Sequence, residues 1–227
     1  MQYEAGPPCG LPAASPRPPD GIRAYMLNSG TQKREQGFSL FELLIVLGVI
    51  LVVAAITVPF VMNIVAGANL RYAATNLGGL VRSARSQAIR TNTLYSVQPV
   101  TLSSGALAYY IDRPGVAYTP GDPLLPTNQN ITVFQGTGSG APNETTFVTG
   151  LNFAIDPGPD NPSFNARGFP CIYAAGACPQ AGIQGFVLFL SNSSITGGLN
   201  WAAVAITPSG RVEVWTCDGS GNWLQRS

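Results

Sequence analysis

From Leu43 to Leu70 the chain carries no charged residue, and the stretch opens with Leu43-Leu-Ile-Val-Leu-Gly-Val-Ile-Leu-Val-Val, without a single polar side chain. As a helix, the roughly twenty residues from Leu43 to Met62 rise about 1.5 Å each and span about 30 Å, the thickness of a bilayer's hydrocarbon core. A cleavable secretory signal has a shorter apolar region, about 7–15 residues, ending in small residues at a cleavage site. Lys33 and Arg34 stand just before the apolar run, and the next basic residue is Arg71. The charge asymmetry predicts a single span with the N-terminus cytoplasmic and everything after the span exported.

Composition narrows what the exported part can do. The chain has no histidine, which removes Ser-His-Asp and Cys-His nucleophilic systems and H-E-x-x-H zinc sites. An enzyme would have to work with carboxylates, and Asp156 and Asp160 lie in a Pro/Gly loop without a supporting constellation. No catalytic role, cofactor or metal is expected. Twelve basic residues against eleven acidic ones leave a net charge of +1, too balanced for a generic nucleic-acid binder.

Past the apolar run, Leu70, Ala74, Leu77, Val81, Ala84 and Ala88 recur at four- and three-residue steps. This spacing predicts that the helix continues as an amphipathic segment, over residues 63–90. Pro59 and the Gly78-Gly79 pair are the expected kinks, one by losing a backbone donor and the other by added backbone freedom. Arg71, Arg82 and Arg85 fall on one flank of the apolar seam. Two readings stand there: a solvated flank whose stems cover the seam, or an anion or partner contact surface.

Residues 91–227 then read as a β-rich head. Strands are predicted at Tyr95–Leu102, Leu107–Asp112, Ile131–Gln135, Thr146–Phe153, Gly185–Leu190, Trp201–Thr207 and Arg211–Thr216. Loops are predicted at 113–126, 136–143 and 156–162. Asp218-Gly219-Ser220-Gly221 reads as a hairpin turn that returns Trp223 and Leu224 alongside the strand carrying Trp215. Asp218, Ser220 and Asn222 have the spacing of the start of a calcium loop, but no bidentate Glu follows, so a plain turn is expected. In an exported head one disulfide is expected, by default Cys171 with Cys178, the alternative being Cys217 with either.

Residues 36 to 48, Gln-Gly-Phe-Ser-Leu-Phe-Glu-Leu-Leu-Ile-Val-Leu-Gly, resemble the N-terminus of a type IV prepilin. Gly37 precedes the processing point, Phe38 is the new N-terminus, Glu42 is the fifth residue after it, and Pro59 lies along the apolar helix. The resemblance implies that a membrane prepilin peptidase removes residues 1–37 and methylates the new amine. The helix 38–62 would then pass from membrane lipid into a filament core. A carboxylate in a membrane segment is costly, about 2.5–3.5 kcal/mol at the bilayer centre and less near an end, so such residues are usually functional and paired. The partner that the resemblance implies for Glu42 is the N-terminal amine of a neighbouring subunit; a snorkelling or protonated Glu near the membrane surface is the plainer alternative. Met26 would open a short, polar, basic leader and is the expected alternative start. An N-terminal peptide beginning at Met1 would dispose of it.

Three further segments resemble the H-type minor pseudopilins (GspH/FimT-like): Ser83–Arg90, Ser163–Phe169 and Ala205–Val212. The resemblance implies an α+β fold, a long N-terminal helix packed against a β-rich head. It also implies a bacterial inner-membrane subunit with a periplasmic head, acting with other pilins or pseudopilins in the assembly or tip of a type II secretion pseudopilus or type IV pilus. Arg167-Gly168 and Gly210 read as turn residues. Some members bind DNA through a Gly-Arg-x-Arg element, but here Gly210-Arg211-Val212-Glu213 puts a carboxylate in place of the second arginine. Phosphate binding needs accumulated positive charge, so nucleic acid is not the expected partner. A single-pass anchored β domain that never assembles is the other competing reading.

Overall fold

The computed structural model describes residues 38–113, 124–158, 160–174, 177–179, 181–195 and 200–226. The leader, Met26 and Gly37 lie outside the described residues. Contacts divide the chain into two compact units, Met1–Val46 and Leu47–Ser227.

One helix, α1, runs from Leu40 to Thr91. The helical assignment is unbroken through Pro59 and Gly78-Gly79. It ends where Asn92 takes a left-handed backbone, φ 51°, and the Thr93 amide donates to Ala88 O at 3.2 Å. Asparagine tolerates that conformation better than other residues with a side chain, which makes it a helix stop. Arg90 in the last turn complements the helix dipole.

The helix changes character along its length. Between Leu40 and Val65 the large apolar side chains are all exposed, whereas from Ala66 onward a single seam is buried: Ala66, Leu70, Ala74, Leu77, Gly78, Val81, Ala84 and Ala88. All six seam positions expected from the spacing are buried. The reason for the small residues is distance. A Cβ on Gly78 would lie 3.0 Å from Val214 Cγ2, so the glycine admits the strand closer than any other residue would.

Among the described residues, ten strands form two five-stranded sheets. The first sheet contains β1 (Tyr95–Thr101), β2 (Leu107–Asp112), β3 (Leu124–Pro126), β5 (Ser163–Phe164) and β6 (Pro170–Cys171), in the order β3-β2-β1-β5-β6. The second contains β4 (Ile131–Gln135), β7 (Phe186–Asn192), β8 (Trp201–Ile206), β9 (Val212–Cys217) and β10 (Trp223–Gln225), in the order β10-β9-β8-β7-β4. All pairings between these strands are antiparallel. The main core joins the α1 seam to Val97, Tyr109 and Phe164 of the first sheet and to Leu188, Val204 and Val214 of the second.

Strands β7 and β8 are buried on both faces. Phe186, Leu188 and Leu190 point toward the α1 core, while Val187 and Phe189 face a second cluster with Ala203, Ala205 and Phe147. Phe147 belongs to a short helix, α2 (Glu144–Gly150). This corrects the strand expected over Thr146–Phe153. The β-branched Thr145, Thr146 and Val148 favour a strand locally, but tertiary contacts override them. The Glu144 carboxylate accepts hydrogen bonds from Gly138 N, Ser139 Oγ and Gly140 N, which closes the preceding loop onto the helix start. Phe147 stacks on Trp223 at 4.5 Å and meets Trp215 edge-on at 5.4 Å. Part of the expected 113–126 loop is also corrected, since 124–126 pair with β2 as the edge strand β3. The short β5 and β6 were not among the predicted strands.

The C-terminal hairpin forms as expected, with Trp223 opposite Cys217 and Leu224 opposite Thr216. Asp218 Oδ1 accepts from Ser220 N and Asn222 N at 2.9 and 2.8 Å, so this carboxylate builds the turn. Those bonds hold the Asp218 carboxyl below its ordinary range, with Asn222 the largest contributor.

Candidate functional site

Phe38 is the first described residue, 77% exposed, and Glu42 lies in the first turn of α1. A carboxylate there faces the positive end of the helix dipole and is favoured by it. The first helical turn is closed by the Leu43 amide donating to Ser39 O at 3.1 Å. Among the described residues Glu42 has no ion-pair partner and no hydrogen-bond partner through its side chain. Phe38, Leu40, Phe41, Leu43 and Leu44 are more than half exposed around it. The helix that begins here is long and apolar enough to cross a membrane by length and composition. Pro59 lies inside the same helix, and its missing N–H leaves Ala55 O without its usual helical donor.

At the far end of α1 two arginines of the flank reach backbone carbonyls of the head. Arg85 Nε donates to Gly168 O at 3.0 Å and its Nη2 donates to Ser209 O at 3.1 Å. Arg82 Nη2 donates to Val212 O at 3.0 Å. The planar guanidinium fork thus ties the helix to the β5–β6 turn of one sheet and the β8–β9 turn of the other. Both turns need glycine. Gly168 has φ +78° and Gly210 φ +82°, and a Cβ on either would lie within 3.2 Å of Arg85 Nε and closer still to another atom. The turns themselves are closed by Gly168 N to Asn165 O and Gly210 N to Thr207 O, each 2.8 Å. The three segments Ser83–Arg90, Ser163–Phe169 and Ala205–Val212 therefore meet at one side chain.

Arg82, Arg85, Arg90 and Arg211 line one open groove of about 400 Å³ beside Ile89. Its positive charge is partly cancelled, because Arg211 Nε pairs with Glu213 Oε1 at 3.3 Å. The carboxylate that stands in place of a second arginine faces the retained one. Arg71 does not join this group. It is exposed and borders another groove with Phe60, Ile64, Trp201 and Cys217.

Cys171 and Cys178 form a disulfide, with Cα atoms 5.5 Å apart, and Cys217 is a free, buried thiol. Burial, and secondarily the adjacent Asp218, raises the Cys217 thiol above its ordinary pKa, so it is a poor nucleophile. Sequence reasoning missed the aromatic cluster of Phe147, Trp215 and Trp223, which borders a pocket of about 320 Å³ with Asn143 and Thr146. The signal was present in the two tryptophans of the C-terminal hairpin, but their partner lay on a segment read as a strand.

Residues 32–58 match the prokaryotic N-terminal methylation motif. No curated protein matches the chain. The structure is similar to two crystal structures of the type IV minor pilin FimU from Pseudomonas aeruginosa PAO1. In the first, identity is 13% and the TM-score 0.39, over 70% of this chain and 92% of that one. In the second, identity is 15% and the TM-score 0.38, over 70% of this chain and 98% of the other.

Proposed function

We propose that the chain is a membrane-inserted minor pilin or pseudopilin whose work is assembly, not catalysis. The observation that carries this reading is the exposed apolar helix running on from Leu43 to Val65 directly behind Phe38 and Glu42, which both lie within the matched methylation motif. A helix that is apolar on every face and buries nothing in its own chain needs another cover, lipid first and then the equivalent helices of neighbouring subunits. In this reading a prepilin peptidase cuts between Gly37 and Phe38, and the leader 1–37 is lost. Residues 38–62 anchor the protein in the inner membrane and later enter the filament core. Residues 63–90 dock the helix on the head, and 91–227 are presented in the periplasm or at a filament tip. Glu42 neutralises the new N-terminal amine of a neighbour, an interaction strengthened by the low dielectric of an apolar core.

The groove with Arg82, Arg85, Arg90 and Arg211 supports DNA uptake less well, since Arg82 and Arg85 already donate to backbone carbonyls and Arg211 is paired with Glu213. The test is intact mass and N-terminal peptide mapping from cells with and without a prepilin peptidase. A mature chain starting at methylated Phe38 only when the peptidase is present is the expected result. A retained leader, or a cut elsewhere, would leave a plain anchored β domain.

A further inference from the structure

Phe60, Ile64, Gly67 and Arg71 follow one another at four- and three-residue steps, so they share one face of α1 where the exposed apolar run meets the head. They line a groove of about 480 Å³ that reaches the end of the second sheet at Trp201 and Thr216. Gly67 leaves a trough in the helix surface, because a Cβ built there would meet nothing within 4 Å. Gly78 on the same helix is held to glycine by Val214, whereas no part of the described chain comes near Gly67. A helical glycine weakens its helix, and packing of the head does not account for this one.

The groove is basic. Arg71 is exposed, and its guanidinium has no hydrogen-bond or ion-pair partner among the described residues. Arg226 Nε donates to Thr216 Oγ1 at 3.0 Å, which brings a second guanidinium to the rim with its other donors unbonded among the described residues. No carboxylate lines the groove among the described residues. Asp218, next to the lining residue Cys217, turns both oxygens into its own hairpin, accepting from Ser220 N, Asn222 N and Asn222 Nδ2.

Its level along the helix matters as much. Arg71 lies six residues beyond Val65, where the run of exposed large apolar side chains ends, or about 9 Å along the axis. Helical side chains lean toward the N-terminus, here toward the membrane. The Arg71 stem therefore carries its guanidinium back into the headgroup layer, about 5–8 Å deep on each side of the hydrocarbon. Trp201, half-buried at the end of the groove, is a residue type favoured at that interface.

We propose that this groove holds an anionic phospholipid of the leaflet below the head, with its phosphate on Arg71, Arg226 beside it, and its acyl chains along Phe60 and Ile64. A guanidinium fork meets two phosphate oxygens at once. A choline or ethanolamine headgroup would set its cation beside two guanidiniums with no carboxylate to receive it, so a headgroup of net negative charge is favoured. The inference rests on the membrane-inserted reading above and adds that the bilayer holds the head as well as the helix.

For the test, the full-length protein is reconstituted in phosphatidylcholine vesicles that contain a brominated guest lipid, either phosphatidylglycerol or phosphatidylcholine. Quenching of tryptophan emission is followed against guest fraction. Trp201→Phe identifies the share due to Trp201, since Trp215 and Trp223 pack on Phe147 in the second cluster. Phosphatidylglycerol is expected to reach half-maximal quenching at an about fivefold lower fraction than phosphatidylcholine. Arg71→Gln should remove most of that preference, and Arg71→Lys should keep it, because an ammonium still meets a phosphate as a point charge. Gly67→Leu, which fills the trough where the chain itself leaves space, should lower Trp201 quenching by either lipid without lowering Tm. Excess free glycerol phosphate should leave the quenching unchanged. Equal quenching by the two lipids, a preference that survives Arg71→Gln, or displacement by glycerol phosphate would overturn the proposal and leave the anchored reading intact. So would floating protein whose Trp201 no lipid quenches, which would point to a neighbouring subunit as the cover. Protein that fails to float with the vesicles would overturn both readings.

Discussion

Arg85 Nε donates to Gly168 O across a sequence separation of 83 residues, at 3.0 Å. The same guanidinium reaches Ser209 O, so one side chain near the end of α1 fixes the relative position of a helix and two sheets. Backbone carbonyls at hairpin turns have lone pairs left over after the turn is closed, and a guanidinium with five donors in one plane can meet two of them at once. The site is an arginine clasp. Its position at the last turns of the helix lets the preceding seam stay purely apolar.

Replacing Arg85 with alanine removes both bonds and leaves Gly168 O and Ser209 O to water. Bonds from a charged donor contribute about 1.5–3 kcal/mol each when sheltered and less where water competes, so a loss of about 2–4 kcal/mol in urea unfolding is expected. Arg85→Lys should recover no more than half of that, because an ammonium is a point donor and cannot fork. A Lys variant as stable as the parent would show that charge, not geometry, is what matters.

Gly210 tests the same clasp from the other side. Its φ of +82° suits glycine, and a Cβ there would lie 2.5 Å from Gly168 O and 2.8 Å from Arg85 Nε. Gly210→Ala adds backbone strain of about 1–3 kcal/mol and displaces the guanidinium as well. The combined Gly210→Ala, Arg85→Ala variant should therefore lose less than the sum of the two single changes. Strict additivity in this double-mutant cycle would mean the two positions act independently.

Much of this was legible in the sequence, and the failures have a common cause. Periodicity named Leu70, Ala74, Leu77, Val81, Ala84 and Ala88 correctly because a helix on a sheet must repeat its apolar face. The Asp218-Gly219 turn was readable because turn chemistry is local. The Thr145–Val148 segment was not, because its helix is held by Glu144 reaching back to Gly138 and Gly140 and by Phe147 packing on residues some seventy positions away. The roles of Arg82 and Arg85 were equally hidden. A helical wheel places a side chain on a flank, but only the fold puts a carbonyl in its reach.

Phe147 should be the most costly position in α2. It is 7% exposed and touches Phe189, Trp215 and Trp223. Phe147→Ala is expected to lose about 3–5 kcal/mol, the range for a large aromatic truncated in a core. Tryptophan emission should also shift to longer wavelength as water reaches Trp215 and Trp223. Because the second cluster lies on the opposite face of β7 and β8 from α1, the long-helix seam should stay protected in hydrogen exchange. Loss of protection at Leu77 and Val81 amides below the global unfolding limit would contradict that separation.

Tyr109 sets an alkaline limit on stability. It is buried in β2, and burial pushes its phenol up to about 12, against an unfolded value near 10. The folded state therefore holds its proton through a range in which the unfolded chain releases it. Stability from this group is fully present below pH 10 and is lost as pH rises toward 12, by an amount on the order of 2–3 kcal/mol. Absorbance titration at a phenolate wavelength should show a late step from Tyr109. Tyr109→Phe should erase that step and flatten the stability curve between pH 10 and 12. If Tyr109 ionises near pH 10 while the fold persists, the β1–β2 face of the core is wetter than its packing implies.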